Sequence, residues 1–282
     1  MQTKSGLMLK ILLNRYHGDP PKSLLKPFAH EEITELGKIE SSLANPEQGL
    51  DQPKTLLQRI HYSWFIPVLE TIPKNLLPLA VAALPKHQSE KIKQQLNLNP
   101  LERPLARLTR IFLLDRLYQL IKPTEILPLA FLPVTPLSGL FKLTKAQLVE
   151  IIDLLGIYDL ADEVRYIIDK EQVNKINSCL TPRQKQFLRH SLHQKEKLTS
   201  TPLHLKQWDG DCKKLALLLH QRGLIRMSKA LCGQHPHAIW HLMHILDKGR
   251  GEILKRHYTD TALPGVTAAL IQQILTVMNF LK

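Results

Sequence analysis

Between Gly233 and Gly249 lie four histidines, His235, His237, His241 and His244, with Trp240 among them. Imidazole ligates metals and exchanges protons near neutral pH, so chemistry is sought here first. On a helix turning about 100° per residue, with His237 at zero, His241 falls at about 40°, His244 at about −20° and Lys248 at about 20°. They share one face, opposite Ala238, Ile239, Leu242, Ile245 and Leu246. Pro236 fits the first turn of this helix and Gly249 its C-terminal stop. His237 and His241 have the i, i+4 spacing with which two helical histidines grip zinc in metalloproteases. The glutamate of that motif is absent: Ala238, Ile239 and Trp240 lie between the two. Only Asp247 and Cys232 flank the helix as further donors, and Lys248 on the same face repels a cation. No metal and no cofactor is therefore expected. The stretch reads instead as a partner-docking face of His235, Pro236, His237, Trp240, His241, His244, Lys248 and Arg250. Protonation near pH 6 would add charge beside Lys248 and make such a contact pH-sensitive. Trp240 falls at about −60°, at the edge of the histidine face, either half-buried or an interface anchor.

Other reactive arrangements are missing. There is no G-x-S-x-G elbow and no papain-like cysteine context. Gly249-Arg250-Gly251 lacks the lysine and the preceding strand of a phosphate loop. Asp209 and Asp211 read as helix caps rather than paired acids. A non-enzymatic protein is expected. The segment Asp211–Ser228, read as helix–Gly223–helix, resembles a helix-turn-helix, with Arg222, Arg226 and Lys229 set to meet phosphates. A basic nucleic-acid-binding protein is the alternative function.

The elements that would carry these residues are helices. Leucine dominates, glycine and aromatics are scarce, and every strong apolar period is near 3.6. The 19 prolines among 282 residues imply many short helices. The predicted fold is all-α, an armadillo-like or irregular multi-helix array in two helical domains: 1–121, a Pro-rich packed linker over 122–143, and a basic domain over 144–282. In the first domain, helices are predicted over 6–16, 30–43 (with Ile33, Leu36, Ile39 and Leu43 inward), 55–63, 64–69, 75–84 and 87–96, with a polar loop over 45–53. Another spans 104–121, with Leu105, Leu108, Ile111, Phe112, Leu114 and Leu117 on one face.

In the second domain, Thr144–Gln147 and Thr181–Gln184 are capping boxes, the latter with Pro182 at the first helical position. The helix from Thr144 is expected to stop at Gly156 and the next to be capped by Asp159. Asp209 is expected to cap a helix ending at Gly223, followed by a short one ending at Gly233. Glu252–Tyr258 and Val266–Lys282 close the chain. His61–Leu96 and His235–Leu254 share a loose cadence of related helical units.

Net charge is +13, unevenly placed: Glu171–His257 holds 16 Lys/Arg against 6 Asp/Glu, and nine of the 13 histidines. Such a surface favours an anionic partner: nucleic acid, an acidic protein face or anionic headgroups. Cys179, Cys212 and Cys232 form no C-x-x-C pair and read as reduced thiols of a cytosolic protein. The apolar run Gly6–Leu13 is short and broken by Lys10, so it reads as an amphipathic helix rather than a signal peptide. No run reaches the roughly 18–20 apolar residues of a membrane span. A cytoplasmic protein, peripheral at the inner membrane, is expected.

His235-Pro236, then Ala238-Ile239, Leu242-Met243 and Leu246-Asp247, with Glu252-Ile253-Leu254 beyond, resembles the middle domain of the flagellar rotor protein FliG. That family carries Glu-His-Pro-Gln leading into an apolar helix, a break and a second helix. His30–Leu43 resembles its N-terminal domain. Gln234 stands where the family has the acid, His237 where it has glutamine, and Lys248 where proline is usual. The charged torque helix has no counterpart. The resemblance implies stacked armadillo-like units and a non-rotary relative: a scaffold or adaptor of a bacterial type III secretion apparatus. Such a protein would link the inner-membrane ring to cytosolic ring or sorting-platform proteins.

Overall fold

The computed structural model describes residues 25–38, 52–99, 101, 104–122, 126, 127, 129, 132–193 and 202–282, with Leu9 and Leu13 singly. The described residues form helices and turns, with no strand among them, and the fold is all-α. The helix expected over 6–16 lies outside them except at Leu9 and Leu13, both helical. The loop over 45–53 lies outside them up to Asp51.

The chain divides into two compact units, Met1–Pro133 and Val134–Lys282. The division falls inside the Pro-rich stretch. Its second half is a 3-10 turn, Pro136–Lys142, that buries Leu137 and Leu140 in the second unit.

The first unit is built from α1 (His30–Lys38), α2 (Gln52–Arg59), α3 (Phe65–Glu70), α4 (Leu77–Ala83), α5 (Lys86–Leu96) and α6 (Arg107–Ile121). α2, α3 and α4 pack on α6. α2 ends where the Gln88 side chain donates to the Leu57 carbonyl at 2.8 Å and to that of Ile60, just past the helix, at 2.6 Å. One side chain thus supplies the donors that helix ends lack. α5 ends on Asn97 in the left-handed region (φ 50°), where asparagine is among the better-tolerated residues. The predicted apolar face of α6 is in fact two faces. Leu114, Leu117 and Tyr118 are buried, whereas Leu108, Ile111 and Phe112 are exposed. A helix apolar around most of its girth can be covered on one side only when too few neighbours surround it.

The second unit comprises α7 (Lys145–Val164), α8 (Lys170–Cys179), α9 (Pro182–Leu192), α10 (Cys212–Leu231), α11 (Pro236–Ile245), α12 (Lys248–His257) and α13 (Val266–Phe280). Both capping boxes form: Thr144 and Thr181 accept from the amides of Gln147 and Gln184 at 3.3 Å, and each glutamine accepts in return at 2.9 Å. α7 lies at the centre, with α9, α10 and α13 against it.

Two glycines set how close α10 comes. A Cβ on Gly156 would lie 2.0 Å from the carbonyl oxygen of Leu219, and one on Gly223 would lie 1.7 Å from that of Ile152. The two helix backbones touch at these points. Gly156 and Gly223 therefore lie inside continuous helices and stop neither. The glycine penalty of about 1 kcal/mol in each helix is offset by this close approach. The helix-turn-helix outline fails for the same reason: Asp211–Ser228 is the cap and body of one helix. Asp159 is likewise no cap; it sits buried within α7. The cap of α10 is Asp211, not Asp209.

The cysteine expectation is overturned. Cys179, the last residue of α8, is disulfide-bonded to Cys212, the first of α10, with Cα atoms 5.0 Å apart; Cys232 alone is a free, buried thiol. Spacing in sequence said nothing of two helix ends that meet in space.

Candidate functional site in the C-terminal unit

Residues 233–249 do not form one helix. Gly233 adopts φ 76°, a conformation suited to glycine, and α11 starts at Pro236. His235 caps it, its Nδ1 accepting from the His237 amide at 3.1 Å. α11 ends at Ile245. Asp247 then caps α12, its carboxylate accepting from the Arg250 amide at 3.2 Å. Gly249 lies inside α12 rather than marking a stop. A single wheel drawn through Lys248 therefore joins two helices that are not collinear.

The proposed docking face is divided by this break and largely covered. Every residue from Ala238 to Ile245 is buried, including Trp240, His241 and His244. His244 stacks on Trp240 with ring centres 4.0 Å apart, and its Nδ1–H donates to the Trp240 carbonyl at 2.7 Å. Trp240 meets His241 edge-on at 5.4 Å. Burial pushes the His244 imidazole down to about 4, against the raising effect of its bond to Trp240 O; His241 and Lys255 lower it further. His244 therefore gains no charge near pH 6, contrary to the sequence expectation. Pro236 is exposed, and His235 and His237 are partly so. Lys248 pairs with Glu252 at 3.7 Å. Among the described residues, no group of three or more His, Cys, Asp or Glu side chains is placed to hold a metal ion.

Arg250 belongs to a different cluster, one the sequence reading missed. Its Nε–H donates to His220 Nε2 at 2.8 Å, and its guanidinium also holds Asp247. His220 Nδ1 lies 2.5 Å from Asp153 Oδ1, and Lys145 Nζ lies 3.2 Å from Asp247. The line Asp153–His220–Arg250–Asp247–Lys145 ties α7, α10 and α12 together. Burial raises the Asp247 carboxyl, but hydrogen bonds from Arg250 and Lys145 more than reverse this and hold it at about 2. An aspartate beside a histidine resembles a general-base pair. Here the bond from Arg250 occupies the Nε2 lone pair, so Nδ1 carries the proton toward Asp153. The ring has no acceptor left for a substrate proton.

A second cluster is deeper. Arg226, expected to meet phosphates, is buried. Its Nε–H donates to Asp159 Oδ1 at 2.9 Å and its Nη1 to Gln273 Oε1 at 2.7 Å, while its guanidinium lies over Tyr158. This joins α7, α10 and α13. Arg222 donates to the Pro202 carbonyl at 3.0 Å. Lys229 alone of the three cations is exposed.

Beside Asp159 opens a cleft of about 400 Å³ lined by Asp162, Glu163, Tyr166, His204 and Gln207. Its carboxylates are engaged. Asp162 pairs with Arg165 at 2.8 Å, and burial raises its carboxyl despite that partner. Glu163 accepts from the Leu203 and Leu205 amides, gripping the loop on both sides of His204, whose φ is 57°. Glu163 thus braces the loop. The signal for both clusters was present in sequence: Asp153 and Asp159 interrupt an apolar run, and Arg226 interrupts another. A charge inside an apolar helix needs a partner.

No family model matches the chain, and no curated protein or solved structure is significantly similar to it.

Proposed function

We propose that the chain is a non-enzymatic helical scaffold or adaptor. It presents fixed helical surfaces to protein partners. The observation carrying this reading is the use made of the polar side chains in the second unit. Asp153, His220, Arg250, Asp247 and Lys145 bond one another, as do Asp159, Arg226 and Gln273. Groups that could have served reaction chemistry are spent on fixing helix against helix. Fully bonded polar networks favour one arrangement of their helices.

The resemblance of residues 235–254 to FliG gives this adaptor its setting: a FliG-like, armadillo-like component of a bacterial type III secretion apparatus, peripheral at the inner membrane, between membrane ring and cytosolic platform. The order of helix, break and helix over α11 and α12 supports the comparison. No described helix is long and apolar enough to cross a membrane. The test is co-purification of the chain with ring or platform proteins, together with secretion by a deletion strain. Retention of those proteins and loss of secretion are expected. Wild-type secretion by the deletion strain refutes the assignment.

A further inference from the structure

Helix α6 of the first unit leaves a cluster of apolar side chains uncovered near its start. Leu108 is 81% exposed, Phe112 60% and Ile111 53%, all on α6. Taking Leu108 as zero and about 100° per residue, Phe112 falls at about 40° and Ile111 at about −60°. The three form one knob over the first turn and a half of the helix. Asp115 and Gln119, at about −20° and 20°, continue the same face and end the apolar patch. Arg107 and Arg116, at about −100° and 80°, flank it and are exposed, with the Arg116 guanidinium over the Phe112 ring. Arg110 falls at about −160°, on the far side, where its Nε–H donates to the Ala83 carbonyl at 3.0 Å. The two flanking arginines against Asp115 leave this face positive. Leu114, Leu117 and Tyr118, on the other side, are taken up by the unit's own core.

We propose that this end of α6 docks on an anionic bilayer surface, with Leu108, Ile111 and Phe112 entering the headgroup layer and the arginines meeting lipid phosphates and carboxylates. Two features select a bilayer over a protein helix. The patch is a convex ridge, whereas an incoming helix needs a groove. It is also only a turn and a half long, too short for anchors at i, i+4 and i+7 of a partner helix. Apolar side chains with surrounding cations are the composition of interfacial helices. Arginines near an anionic surface contribute roughly fivefold each in affinity. The inference does not depend on the secretion assignment; it needs only the exposure and charge of α6.

The test is sedimentation of the full chain with large vesicles. One set is phosphatidylcholine alone; the other holds about a third phosphatidylserine. Wild type is expected to pellet with the phosphatidylserine vesicles at low salt and much less with phosphatidylcholine. Leu108→Asp/Phe112→Asp is expected to weaken binding at least about tenfold. Arg107→Glu/Arg116→Glu is expected to weaken it by a similar factor and to remove its salt dependence in part. All four side chains are exposed, so urea midpoints should match wild type. Wild type that stays in the supernatant at low salt overturns the proposal and leaves the face to a protein partner. So does equal binding by wild type and both double variants, which would place attachment elsewhere on the basic surface. A wild-type dimer that Leu108→Asp/Phe112→Asp converts to monomer would overturn it too, making the face a contact between copies.

Discussion

Helices α6 and α7 are alike in sequence: long, leucine-rich and apolar around most of their girth. Their fates differ. α7 buries Leu148, Ile151, Ile152 and every residue from Leu154 to Ala161, whereas α6 buries Leu114, Leu117 and Tyr118 and leaves Leu108, Ile111 and Phe112 in solvent. The difference lies in what lets a neighbour approach. Gly156 brings the backbone of α10 onto α7, and Gly223 answers it from the other side. α6 has no glycine, alanine or serine anywhere along it. Apolar content alone did not decide cover; the small residues that admit a second helix did.

The contact is most directly broken at Gly223. A Cβ there meets a carbonyl oxygen, which cannot rotate away as a side chain can. Gly223→Ala is expected to cost more than about 4 kcal/mol, beyond the usual range for an overpacked core. Gly249→Ala is the control. Its Cβ would find its nearest neighbour, Asp247 Oδ1, at 3.7 Å, and it should change stability by under about 1 kcal/mol. Urea unfolding followed by tryptophan fluorescence separates the units, since Trp64 lies in the first and Trp208 and Trp240 in the second. A Gly223→Ala transition at the wild-type midpoint would mean the helices do not touch.

The buried charge on α7 comes next. Asp159→Ala leaves Arg226 buried opposite a void and is expected to cost about 3–4 kcal/mol. The double replacement Asp159→Leu/Arg226→Met should recover most of that, because it removes the unpaired charge as well as the pair. If the double variant is as unstable as the single, the loss comes from packing and not from charge. The disulfide follows. Cys179 and Cys212 are 33 residues apart, and opening a loop of that length should lower stability by about 3.7 kcal/mol. A reductant should therefore lower the melting temperature, and the unreduced, denatured chain should show one titratable thiol. Three thiols would restore the sequence expectation.

How far these features could be read from sequence varies with the range of the interaction. The capping boxes at Thr144 and Thr181 are local chemistry within four residues, and both were legible. Glycines were not. Gly233 does end a helix, whereas Gly156 and Gly223 do not, and all three follow apolar runs. What separates them is a helix distant in sequence. The histidine face failed at Asp247. An aspartate before Lys-Gly-Arg-Gly is a cap, but the glycine two residues on read as the end of the preceding helix. Arg226 read as a phosphate-facing group, and His220 drew no reading, because Asp159 and Asp153 each lie 67 positions away.

His244 offers a titration of the covered region. Its imidazole is held at about 4 by burial, below the ordinary value near 6.5. The unfolded chain therefore takes up a proton between pH 6.5 and 4 that the folded chain refuses. Stability is full above pH 6.5 and falls as pH drops through that window. From pH 7 to pH 5 the loss from this group should be about 2 kcal/mol. In His244→Gln that increment should vanish. A variant that retains the whole loss would assign the acid sensitivity to another group.

The smallest expected effect sharpens the contrast within α6 itself. Leu108 and Leu117 are the same residue on the same helix, 81% and 1% exposed. Leu117→Ala removes side-chain atoms from the core and should cost about 2–5 kcal/mol in the Trp64 transition. Leu108→Ser exchanges a side chain already in water and should change stability by less than about 0.5 kcal/mol. If Leu108→Ser instead costs as much as Leu117→Ala, the knob on α6 is part of the core. The surface that makes α6 differ from α7 would then not exist in solution. If stability holds while vesicle binding falls, the residues left uncovered by folding are the ones used for docking.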